Sequence, residues 1–84
     1  MNNSLKALIK ATGCNLWVGV DISDNFYCYL YDCYIKDGSV LRDKYGKGHT
    51  IEEAVDDFIN VVRHETLIVH PGSDSRKEIS VLSL

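Results

Sequence analysis

The run Gly48–His64, GHTIEEAVDDFINVVRH, constrains the fold more than any other stretch of the chain. Ile51, Ala54, Val55, Phe58, Ile59 and Val62 recur at i, i+3, i+4, i+7, i+8 and i+11. On a helix of about 3.6 residues per turn that spacing makes a single apolar stripe. Thr50 followed by Glu53 has the form of a capping box. In that box the Thr hydroxyl accepts from the third helical amide while the Glu carboxylate reaches back to the cap amide. The opposite face carries Glu52, Glu53, Asp56, Asp57 and Asn60, and its acids crowd the end where the helix dipole favours negative charge. Arg63 and His64 stand at the other end. Such a one-sided helix needs a second layer to cover its stripe.

The rest of the chain supplies that layer. Ser4 is placed to cap a short helix in which Leu5, Leu8, Ile9 and Thr12 share a side, with Gly13 as its left-handed stop. Leu16, Val18, Val20 and Ile22 alternate through Asn15–Ile22, and Ser23-Asp24-Asn25 forms a turn. Phe26–Ile35, FYCYLYDCYI, reads as one aromatic strand. Lys36-Asp37-Gly38-Ser39 is a hairpin turn, Val40–Tyr45 is the return strand, and Gly46-Lys47-Gly48 leads into the helix. Glu65–His70 and Lys77–Leu82 are the last strands, on either side of a loop at 71–75. The prediction is an α+β class domain spanning 1–84. Its order is α-β-β-β-α-β-β, in a single antiparallel sheet with helices packed on one face.

Composition narrows the function classes. Eighty-four residues make one domain with a small core. A net charge of −3 argues against duplex DNA, whose binders need a basic surface to displace condensed cations. Cys14, Cys28 and Cys33 are odd in number and lack C-x-x-C spacing, which fits reduced thiols in a cytoplasmic protein. No apolar run approaches the ~18–20 residues a bilayer span requires. The start, MNNSLKALIKATG, is amphipathic rather than a signal peptide, so no membrane contact is expected.

Three groups of residues are candidates for function. Alternation turns Tyr27, Tyr29 and Tyr31 to one face and Phe26, Cys28 and Leu30 to the other. With Trp17 or Tyr45 beside them, the tyrosines form a self-covered face, a protein-binding or homodimer surface, or a base-stacking platform. In the segment His70–Lys77, Ser73, Ser75, Arg76 and Lys77 make either a plain hairpin loop or a phosphate cradle. The row Glu52, Glu53, Asp56 and Asp57 is either solvation or a mimic of phosphates. His49, His64 and His70 have no metalloprotease spacing. No catalytic residue, metal ligand set or cofactor is therefore expected.

The run Gly46-Lys47-Gly48-His49-Thr50-Ile51-Glu52-Glu53-Ala54 resembles the G-x-T-x-E-E-A strand-to-helix junction of HicB-like domains. The span from about Trp17 to Val69 is also similar to a class of small bacteriophage proteins. They share an aromatic strand, a DG hairpin, a YGKG-TIEEA junction and a TLIV strand. The resemblance implies a HicB-like, partial RNase-H-like fold. HicB antitoxins neutralise a ribonuclease and add a DNA-binding segment after this domain, for which the residues after His70 are too few. The resemblance to phage proteins implies a partner among host or defence-system proteins. The expected function is a phage-encoded, non-catalytic binding protein that inhibits or modulates such a partner. The alternatives are a nucleotide or oligonucleotide sponge for a defence signal, and an antitoxin-type ribonuclease inhibitor. A homodimer through the outer sheet face or an edge strand stays open.

Overall fold

Helix α2 (Ile51–Val62) is the centre of the molecule, in a computed structural model that describes residues 3–84. Thr50 is extended at φ −132°, ψ 163°, and its Oγ1 accepts from the Glu53 amide at 3.1 Å. The other half of the box differs from expectation. The Glu53 carboxylate takes the Thr50 hydroxyl at 3.3 Å instead of the cap amide. Ala54, Val55, Phe58 and Val62 are buried, whereas Ile51 is exposed, so the stripe meets the core only from its second residue on. Thr50→Ala removes the acceptor for the Glu53 amide and is expected to lower stability by about 1 kcal/mol. A shift of the urea midpoint at unchanged slope is the readout.

Helix α1 (Asn3–Thr12) begins before Ser4, which lies in its first turn instead of capping it. Met1 and Asn2, the start of the amphipathic run, lie outside the described residues. Leu5, Leu8 and Thr12 are buried, and Gly13 ends the helix at φ 68° with its amide on the Ile9 carbonyl at 2.8 Å. The buried Thr12 hydroxyl is satisfied twice, donating to the Leu8 carbonyl at 2.7 Å and accepting from the Cys14 amide at 3.1 Å.

The strands are β1 (Leu16–Val20), β2 (Phe26–Leu30), β3 (Cys33–Asp37), β4 (Val40–Arg42), β5 (Gly46–Gly48), β6 (Thr66–Val69) and β7 (Lys77–Ser80). A short 3-10 turn over Val81–Ser83 follows. The chain is α+β and every strand pairing is antiparallel, as predicted. The single sheet is not found. Among the described residues two sheets form instead, ordered β1-β2-β5 and β4-β3-β6-β7. The cause is a break in the aromatic strand at Tyr31-Asp32, where Asp32 adopts a left-handed φ of 57°. Aspartate tolerates that region better than most residues, and cross-strand bonds hold it there. The His70 amide donates to the Asp32 carbonyl at 3.0 Å, and His70 Nδ1 lies 2.9 Å from Asp32 Oδ2. The return strand expected over Val40–Tyr45 is shorter, ending at Arg42 on β3, and Gly46–Gly48 pairs with β2 as a strand of its own.

Both sheets turn one face to the helices. Cys28, Leu30, Ile35, Leu67 and Val69 meet Leu5, Leu8, Ala54 and Phe58 in one core cluster. Gly46-Lys47-Gly48 is a strand beneath α2, not merely a lead-in. A Cβ on Gly46 would run into the Ala54 carbonyl oxygen and the Phe58 amide, so only glycine lets helix and strand approach this closely. Asp57 Oδ2 accepts from the Lys47 amide at 2.9 Å and ties the crossing from the other side. Among the described residues, no helix is long and apolar enough to cross a membrane.

Candidate functional site

Alternation along β2 sends Cys28 and Leu30 into the core and turns Tyr27 and Tyr29 away from it. The β1–β2 register then sets Trp17 opposite Tyr29 and Gly19 opposite Tyr27. Trp17 stacks on Tyr29 with centroids 6.5 Å apart at 17°, and Tyr31 leans on the same indole at 5.8 Å and 33°. Tyr27 meets Tyr45 edge-on at 5.3 Å, and Lys47 Nζ stands 5.9 Å over the Tyr27 ring. These centroid spacings lie in the range of favourable aromatic pairs. The structure therefore gathers Trp17, Tyr27, Tyr29 and Tyr31 on one face, with Tyr45 as well as Trp17 beside the tyrosines.

The rings do not share one role. The Tyr27 hydroxyl donates to Asp21 Oδ2 at 2.6 Å, while Asp21 Oδ1 accepts the Ser23 and Asn25 amides at 2.8 and 3.1 Å. The Tyr27 hydrogen bond, followed by the backbone bond from Asn25, holds the Asp21 carboxyl below its usual range. The same contact with Asp21 pushes the Tyr27 phenol up. Tyr27 thus anchors the turn between β1 and β2. Trp17, Tyr29, Tyr31 and Tyr45 are left exposed.

Where β2 gives way to β3, a cleft of about 420 Å³ opens between Tyr29, Tyr31, Tyr34 and Tyr45, bordered by Asp43 and Lys44. Tyr34 was not foreseen in this site. Unbroken alternation from Phe26 puts residue 34 on the helix side, but the break shifts the parity, so that Cys33 and Ile35 pack on the core cluster instead. The one signal in the sequence was an aspartate inside an otherwise strand-forming run.

Comparison with protein-family models, curated proteins and solved structures finds no match.

The other candidates are placed apart from the tyrosines. Ser73, Ser75, Arg76 and Lys77 lie at or before β7, on the far edge of the second sheet. Their loop is closed on itself. The Ser73 amide donates to the His70 carbonyl at 3.1 Å, the Ser75 amide to Ser73 Oγ at 3.1 Å, and the Arg76 amide to the Ser73 carbonyl at 3.2 Å. Three amides that a phosphate would require are already committed within the turn. Lys77 and Arg76 stay exposed. The neighbouring Glu78 is held below its usual range mainly by the Lys36 ammonium, 2.6 Å away.

On α2, Glu53 serves the cap and Asp57 the β5 amide, while Glu52 and Asp56 are exposed. The acidic row is thus partly structural. Among the described residues, no three His, Cys, Asp or Glu side chains cluster as a metal site would require. Burial pushes the Cys33 thiol up to about 12, with Cys14 and Asp32 adding to the shift, and burial also raises Cys28. Both are thiols rather than thiolates near neutral pH, and thus poor nucleophiles.

Proposed function

We propose that this chain is a small, non-catalytic protein-binding module, phage-encoded and acting in the host cytoplasm. It occupies a surface of a host or anti-phage-defence protein with its tyrosine face. One observation carries this reading: Trp17, Tyr29 and Tyr31 form a contiguous exposed aromatic cluster on paired strands, beside a cleft walled by Tyr34 and Tyr45. Tyrosine and tryptophan offer large amphipathic area with few torsions to freeze, which is why they dominate binding hot spots. Here the rings are held against one another before any partner arrives, so less ordering is needed on contact. The likeness of the Gly46–Ala54 junction to HicB-like and phage proteins supplies the setting. The Ser73–Lys77 turn, with its amides internally bonded, supplies no comparable support for the nucleotide reading.

The test is retention of a partner from bacterial lysate by tagged wild-type chain, with Tyr29→Ala and Tyr31→Ala alongside. Both side chains are exposed, so both variants are expected to stay within about 0.5 kcal/mol of wild-type stability. Each should weaken retention at least tenfold, a loss of about 1.4 kcal/mol or more, since a hot-spot ring costs about 2 kcal/mol or more when truncated. Undiminished retention by the double variant sinks the proposal.

A further inference from the structure

The two sheets present four edges, and they are not alike. Strands β4 and β5 are three residues long and carry Arg42 and Lys47, and the four-residue β7 carries Lys77 and Glu78. Strand β1, LWVGV, is the longest of the four and has no charge and no proline. Monomeric proteins protect edges with short strands, charge or bulges, and β1 alone has none of these protections. It is also apolar on both faces. Trp17 lies on the tyrosine side, while Val18 and Val20 lie on the helix side at 42% and 60% exposure.

The outward pattern of this edge is set by its inner bonds. The Asn15 carbonyl accepts from the Tyr31 amide at 2.9 Å, and the Asp21 amide donates to the Asn25 carbonyl at 3.0 Å. The odd-numbered residues of β1 therefore bond to β2, and the amides and carbonyls of Leu16, Val18 and Val20 point off the sheet. We propose that β1 pairs antiparallel with β1 of a second copy about a two-fold axis through Val18, joining the two three-stranded sheets into one of six strands. Val18 then bonds to its own equivalent, and Leu16 bonds to Val20 of the other copy.

The side chains fit that register. Trp17 falls opposite Gly19 of the second copy, in the closely spaced pair type where side chains approach most nearly. Nothing lies within 4 Å of the position a Gly19 Cβ would take, so an indole can lie over the glycine and cover its backbone. The symmetry makes that contact twice. The same alignment carries Ile22, fully exposed at 103%, toward the α1–β1 corner of the second copy. Trp17 belongs to both surfaces, and to lie over Gly19 of the second copy its indole must swing off Tyr29 and Tyr31. The pairing uses neither tyrosine, so the Val18 variants report on the dimer and the Tyr29 and Tyr31 variants on partner binding.

Sedimentation equilibrium tests the dimer. Wild-type chain is expected at twice the 9.5 kDa monomer mass in the micromolar range and above. Val18→Lys and Val18→Glu each place like charges face to face on the axis and should sediment as monomers. An equimolar mixture of the two should recover the dimer mass, since each axis then joins opposite charges. Wild-type mass near 9.5 kDa at every concentration overturns the proposal. So does a dimer indifferent to both substitutions, which would use another edge, or a mixture that stays monomeric. A variant that has lost its circular-dichroism spectrum also counts against it, because the proposal requires the helix side of Val18 to be open in the single chain.

Discussion

Gly46→Val is expected to abolish cooperative unfolding, and Gly46→Ala to lower stability by about 3 kcal/mol, the upper end for overpacked cores. The groups in the way are the Ala54 carbonyl oxygen, the Phe58 amide and the Phe58 Cβ. Two of the three belong to the backbone of α2, so no rotamer change relieves the contact. The helix must lift from β5, exposing Ala54 and Phe58 and stretching the Lys47–Asp57 bond. A domain of this size carries roughly 4–12 kcal/mol of net stability, so losing 3 is serious and losing more is decisive. Urea melts followed by circular dichroism measure it. A Gly46→Ala change below about 1 kcal/mol, the central value for point substitutions, would mean that helix and strand are not in close contact.

Phe58→Ala is expected to be of similar size, about 3–5 kcal/mol, by a different route. Phe58 is 3% exposed and sits in the core cluster with Leu30, Ile35 and Leu67. Truncation removes the ring and leaves a void that the two sheets cannot collapse into without shifting α2. Phe58→Leu, which refills most of the space, should recover more than half of the loss. The combination of Gly46→Ala with Phe58→Ala should show no rescue. Alanine keeps the Phe58 Cβ and its amide where they are, and those are the atoms in the way.

These two positions show what the sequence conveys and what it hides. The helix was readable because its period, its cap and its acidic first turn all agree, and each depends only on neighbours within a few residues. Gly46 was legible only as a glycine near a helix start. The reason for it is a contact with Ala54 and Phe58, which a linear reading does not bring together. The strand break was hidden for the same reason. Asp32 is one unfavourable residue in a strong strand pattern, and what holds its left-handed backbone is His70, far along the chain. The candidate site inherits this division. Tyr27 and Tyr29 follow from simple alternation and lie where expected. Tyr34 joins them only because the break reverses parity. Tyr45, set beside them in the sequence reading as an alternative to Trp17, arrives where the chain leaves β4 after Arg42 and reaches β2 at Gly46.

That break has a consequence for how such a surface changes over generations. The place of the hollow beside Tyr31 is set by the main-chain torsions at Asp32 and the Asp32–His70 bonds, while its walls are the rings around it. Position and lining are therefore under separate control. Substituting Tyr29, Tyr31 or Tyr45 remodels the walls of the hollow while the strand break that places it persists, and the proposed binding face can change without the scaffold being rebuilt.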